Sequence, residues 1–194
     1  MNEITQNKKY NDILAASKTL FWKYGFKKVS IEEICKEAKT SKVTFYKFFS
    51  NKLEVAKAVF DFVVDVGISQ FKLVLEEATD ASVLMRQMLQ MKKEGINDIS
   101  KEFVSDFYSN PELGLKDYID EKTRLVMAEI INDFKVARER GLLRKDLNLE
   151  FLLYLSQKFI DMLEDPVLLL LFPNPQDLIM ELTRFSTYGI SPHD

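Results

Sequence analysis

The stretch Ser30-Ile-Glu-Glu-Ile-Cys-Lys-Glu-Ala38, then Lys39-Thr40, then Ser41-Lys-Val-Thr-Phe-Tyr-Lys-Phe-Phe49 decides how this chain is read. Ser30 followed three residues later by Glu33 is a capping-box start. Ile31, Ile34, Cys35 and Ala38 then fall on one face of a helix of about two turns. Thr40 or Ser41 starts a second short helix carrying Val43 to Phe48, and Ser50 or Asn51 starts a third through Leu53, Val55, Ala56, Val59 and Phe60. Two short helices parted only by Lys39 and Thr40 have the spacing of a helix-turn-helix.

Upstream, a first helix is predicted from about Lys8 to Tyr24, with Ile13, Ala16, Leu20, Phe21 and Tyr24 on one stripe and Gly25 as its stop. Downstream, apolar residues recur at three and four positions between the breakers Gly67, Gly95, Asn110-Pro111, Gly141, Asp165-Pro166 and Pro173-Asn174-Pro175. No window alternates in the manner of a strand. The expected fold is therefore all-α, with an amino-terminal three-helix helix-turn-helix bundle over residues 7–66, including its linking helix, and a larger helical domain over 67–194.

The chain of 194 residues, 46% hydrophobic and 29% charged, is long enough for one or two domains around a real core. Its longest apolar run, Val167 to Phe172, is far short of the roughly 20 residues that cross a bilayer. The polar start, Met1 to Asp12, has no secretory pattern, which predicts a cytoplasmic location and no membrane partner. One cysteine, Cys35, forms no internal disulfide, and with a lone His193 it supplies no zinc site. No Gly-rich phosphate loop and no paired His/carboxylate pattern is present, so no catalytic residue, metal or cofactor is expected and the enzyme reading is set aside.

Charge is uneven. Residues 1–60 hold twelve Lys and six acidic residues, a balance of +6, whereas the remainder carries −9. A basic third on an acidic protein points to a polyanion at that end, the alternative being a solvated lysine-rich surface. A helix about 10–12 Å across fits a major groove about 12 Å wide, so the first turn of the second helix can meet base edges. Phe45, Phe48 and Phe49 are expected inward or along the rim, leaving Lys42, Val43, Thr44, Tyr46 and Lys47 for the groove and its phosphates. Their chemistry suits this: lysine for guanine or phosphate, Val and Thr methyls for thymine, hydroxyls for phosphate oxygens.

The run Lys42-Val-Thr-Phe-Tyr-Lys-Phe-Phe-Ser-Asn-Lys52-Leu53-Glu54, preceded by Phe21-x-x-Tyr-Gly25-Phe26-x-x-Val-Ser30-Ile31-x-x-Ile34, resembles the signature of TetR-family transcriptional regulators over about residues 10 to 60. The resemblance implies a DNA-binding regulator, usually a repressor, whose homodimer holds a palindromic double-stranded operator and whose larger domain takes a small-molecule effector. It also implies that Ser30 and Ser41 lie at the DNA, that Lys42, Val43 and Thr44 face bases, and that Tyr46, Lys47 and Lys52 hold phosphates. Three positions depart from the family pattern. Lys39 stands where Gly is usual, at a cost of up to about 1 kcal/mol if the residue takes positive φ; Val43 replaces a frequent Gly, and Phe48 a frequent His.

In the same family the last helices pair two subunits. Phe151, Leu155, Phe159 and Met162, with Leu178, Leu182 and Phe185, are the matching candidates here, the alternative being that they pack within their own subunit. Phe62, Met88, Phe103, Phe107, Tyr108 and Met127 are candidates for an apolar effector pocket or, alternatively, plain core. The effector itself is not legible. The second functional reading is a helical protein-interaction module with a degenerate helix-turn-helix.

Overall fold

Backbone hydrogen bonding in the computed structural model, which describes residues 8–163 and 165–192, is helical throughout, with ten α-helices and no strand among them. In order these are α1 (Lys8–Lys28), α2 (Ile31–Glu37), α3 (Lys42–Tyr46), α4 (Lys52–Glu77), α5 (Ala81–Gly95), α6 (Lys101–Val104), α7 (Lys116–Glu139), α8 (Leu149–Met162), α9 (Pro166–Leu171) and α10 (Pro175–Ile190). A π-helical turn, Ser105–Ser109, follows α6, and a 3-10 turn, Pro111–Leu113, precedes α7. The first seven residues and His193 lie outside the described part. No described helix is long and apolar enough to cross a membrane.

Most predicted punctuation is present. Gly95 ends α5, Asp165 caps α9 by accepting from the Val167 and Leu168 N–H groups, and Gly141, at φ 75°, closes α7 as Leu142 N–H reaches back to the Ala137 carbonyl. Gly67 does not break its helix, because one glycine costs only about 1 kcal/mol and α4 runs on to Glu77. Nor does Gly25 end α1: it takes φ 78° and ψ 173°, bends the helix, and the chain resumes for a last turn to Lys28. The buried stripe differs from the predicted one. Trp22 and Phe26 are buried and Tyr24 is left 43% exposed.

The chain divides into two compact units, one formed by the amino-terminal segment to Val64 together with Asp98–Ile119, the other by Asp65–Asn97 with the chain from Asp120 onward. One division falls inside α4, between Val64 and Asp65, and 98–119 groups with the helix-turn-helix. The reason is packing on α1. Trp22 and Phe103 rings lie 4.3 Å apart, Phe103 stacks on Phe107 at 4.4 Å, and Phe107 meets Phe21 and Phe26 at 6.0 and 6.4 Å. Backbone bonds follow suit: Ser100 N–H donates to the Trp22 carbonyl, and Asp106 Oδ2 accepts from the Lys27 N–H that the Gly25 bend has freed. Phe103 and Phe107 are thus core of the first unit.

The second unit has its own core of Phe71, Leu75, Leu84, Met85, Ile130, Phe134, Leu143, Leu149, Leu152 and Ile190, with Met88, Met91 and Met127 half-buried against it. Arg140 fastens the end of α4 by donating to the Leu75 and Ala78 carbonyls, and the Arg144 guanidinium donates to the Gly189 carbonyl. These cationic caps sit where helix C-termini leave carbonyls unpaired.

Candidate nucleic-acid interface

The geometry of the helix-turn-helix begins at its two caps. Ser30 Oγ accepts from Glu33 N–H, and Glu33 Oε2 accepts from both the Ser30 N–H and its hydroxyl, so the capping box is closed in both directions. Ser41 caps α3 by accepting from Thr44 N–H at 3.1 Å and shares a proton with the Thr44 hydroxyl at 3.0 Å. Both serine hydroxyls therefore have partners within the protein. A phosphate contact by either exchanges one of those bonds.

Between the caps the turn is tight. Lys39 takes φ 50°, the left-handed conformation that glycine adopts without penalty, and its carbonyl receives Lys9 Nζ from the first turn of α1. Lys39→Gly is accordingly expected to stabilise the protein by up to about 1 kcal/mol, a rise in Tm of roughly 2–4 °C that differential scanning calorimetry reads directly.

The helix α3 is held by its aromatic inner face. Phe45 is fully buried, tilted against Phe49 at 5.6 Å, and Tyr10 of α1 stacks on Phe49 at 5.2 Å while meeting Phe48 edge-on at 5.8 Å. Phe48 is thus a packing residue. What α3 leaves outward is Ser41, Lys42, Val43, Tyr46 and Lys47, with Thr44 half-buried. Val43 is 70% exposed, a large apolar side chain kept in water on a five-residue helix that has no core use for it. One acidic group belongs to the same surface: Glu32 of α2 accepts a hydrogen bond from Lys42 Nζ, and that bond holds the Glu32 carboxyl below its usual range. Reading the sequence did not single out Glu32; its acidity and its place in the first turn of α2 were the only signals.

Cys35 is buried on the inner face of α2, and burial pushes its thiol pKa up, which leaves it a small core residue without reactive character. Lys52 is placed otherwise than the resemblance implied. Its ammonium donates to the carbonyls of Phe26 and Val29 at 2.7 Å each and of Lys27 at 3.4 Å, and lies 4.3 Å from the Phe26 ring centre. Three donors with three acceptors leave none for a phosphate. Lys52 closes the end of α1 and the turn into α2, and burial lowers its pKa from the ordinary lysine value. Lys52→Met should therefore cost about 1–3 kcal/mol of stability in urea unfolding, since carbonyls served by a charged donor lose it.

Residues 13–59 match the family model of bacterial regulatory proteins of the tetR family. The amino-terminal unit carries a TetR-family domain. The TetR fold extends beyond it. A fatty acid degradation regulator from Bacillus halodurans superposes with a TM-score of 0.63 at 19% identity, covering 93% of this chain and 95% of that one. A TetR-family transcriptional regulator from Streptomyces coelicolor gives 0.63 at 15% identity over 98% and 100% of the two chains. A third, a transcriptional regulator from Aquifex aeolicus, gives 0.61 at 21% identity over 94% and 99%. No curated protein matches the sequence. The chain thus has the fold of TetR-family DNA-binding regulators, with a helix-turn-helix at one end and a larger helical region after it.

The other expected sites fare differently. Of the six pocket candidates, Met88 and Met127 border the core of the second unit, while Phe62, Phe103, Phe107 and Tyr108 belong to the first, Phe62 being 52% exposed. Of the interface candidates, Phe151, Met162 and Phe185 are exposed and Leu155, Phe159 and Leu182 are partly so. Leu178 is 1% exposed and faces the interior of its own unit, so it drops out of the set. Among the described residues no group of three His, Cys, Asp or Glu side chains is placed to hold a metal ion.

Proposed function

We propose that the protein is a transcriptional regulator that acts as a repressor, its homodimer binding a palindromic DNA operator through α3. The observation that carries this reading is the outward face of α3, where Lys42, Val43, Tyr46 and Lys47 stand in solvent on a helix anchored from behind by Phe45 and Phe49. We assign Ser30, Ser41 and Thr44 to the contact set as well, with Lys52 holding the end of α1 behind it.

Two copies are needed because half-sites on B-DNA recur about 34–36 Å apart. The exposed aromatic residues of α8 and α10 are the surface on which we place the pairing. Release follows from linkage: a small apolar ligand that prefers the weakly binding conformation shifts the population toward it. The soft, half-buried Met88, Met91 and Met127 are the side chains that suit such a ligand. The role is non-enzymatic and belongs to the cytoplasm, where the DNA is.

The test is a titration against the DNA upstream of its own coding sequence and a scrambled control, each at two salt concentrations. Tight binding to the native duplex that weakens with salt, with protection over a palindrome, is the expected result. Weak, equal and salt-insensitive binding to both duplexes would return the chain to the interaction-module reading.

A further inference from the structure

A carboxylate on a surface that meets phosphates is opposed by repulsion, and Glu32 is such a group. It is not needed by the fold: Glu33, its neighbour, closes the capping box, and the Glu32 side chain is 60% exposed. Beside a bond from its own backbone N–H, it holds the ammonium of Lys42, the first residue of α3, itself 53% exposed. The pair therefore spans the two helices of the helix-turn-helix at the turn of α3 that enters the groove.

Pairing alters what Lys42 can do. A free lysine binds any duplex through its phosphates and releases a counterion; a lysine already neutralised by a carboxylate gains little there. What the pair offers instead is a donor beside an acceptor. In the major groove guanine shows two acceptors, O6 and N7, which suit an ammonium, and its cytosine partner shows the N4 amino donor, which suits a carboxylate. We propose that Glu32 is a specificity-determining residue, which with Lys42 reads a G·C base pair at one position of each operator half-site and disfavours duplexes that offer Lys42 phosphate alone.

The proposal rests on the DNA-binding reading above and adds to it a residue and a base pair. It is tested with the full chain, first by enriching binders from a random-sequence duplex pool. The enriched half-site is expected to contain a fixed G·C pair whose replacement by A·T weakens the wild type roughly tenfold or more. Glu32→Ala should reduce that preference to about twofold or less while binding scrambled duplex more tightly, with a salt slope steeper by about 0.9, the contribution of one freed cation. The variant is expected to fold, as Glu32 is exposed and its helix keeps both cap bonds; a circular-dichroism melt verifies this.

The preference decides the matter. An undiminished preference in Glu32→Ala, or a wild-type half-site without a fixed G·C pair, overturns this inference alone. A wild-type chain that enriches no sequence overturns both it and the DNA-binding reading.

Discussion

Replacing Gly25 by alanine is expected to cost about 3–5 kcal/mol, lowering Tm by roughly 10 °C or more as followed by calorimetry or urea unfolding. Two effects act together. At φ 78° and ψ 173° the backbone occupies a region that is essentially glycine's own, and a side chain there costs about 1–3 kcal/mol. The added Cβ would also stand 2.7 Å from Asp106 Oδ2, 2.9 Å from Glu102 Cβ and 3.0 Å from the Glu102 backbone carbon. None of these gives way easily. Asp106 is buried and holds the Lys27 N–H, and the Glu102 main chain is part of α6, so the clash adds about 1–3 kcal/mol more. A loss below about 1 kcal/mol would mean that the 98–119 segment yields at little cost, and its packing on α1 would have to be read as loose.

The same contact explains where the sequence was legible and where it was not. Local chemistry could be read: Ser30 with Glu33 names a capping box from two residue types at one spacing, Ser41 a cap, and Lys39 a turn residue in a conformation that glycine would prefer. Each depends on neighbours within a few residues. The attachment of 98–119 to α1 depends on Phe103, Asp106 and Phe107 meeting Trp22, Lys27 and Phe21 some eighty residues earlier, and an aromatic pair at helical spacing looks the same whichever unit it packs against. The fault with Tyr24 has the same root, since Phe103 covers Trp22 and Tyr24 is left exposed. Lys52 shows a further limit. Its position matched the family pattern, but which oxygens an ammonium reaches is decided by the fold, here the end of α1.

The second large effect is expected at the aromatic surface of α8 and α10. Phe151 and Tyr154 on α8 are 55% and 62% exposed, and Phe185 and Tyr188 on α10 are 72% and 58% exposed, while Leu149, Leu152, Leu178 and Ile190 on the same helices are buried within the unit. Each helix thus satisfies its own core and still holds out large apolar rings, the arrangement that marks an association surface. Truncation after Leu147 is a poor probe of it, because it would also remove Leu149, Leu152 and Ile190 from the core. The double substitution Phe151→Glu with Phe185→Glu leaves the core alone and, across a two-fold axis, every charge is introduced twice. The expected product is a folded monomer by light scattering at micromolar concentration, less stable than wild type only by what pairing contributes, since neither side chain belongs to the core of its own unit. Its affinity for a full operator should fall about 10²- to 10⁴-fold, because the second half-site no longer benefits from tethering, whereas affinity for a single half-site should be nearly unchanged. A variant that remains dimeric would place the pairing surface elsewhere and leave the exposed rings to another partner, and equal loss on full and half operators would show that the substitutions had damaged the helix-turn-helix unit instead of the pairing.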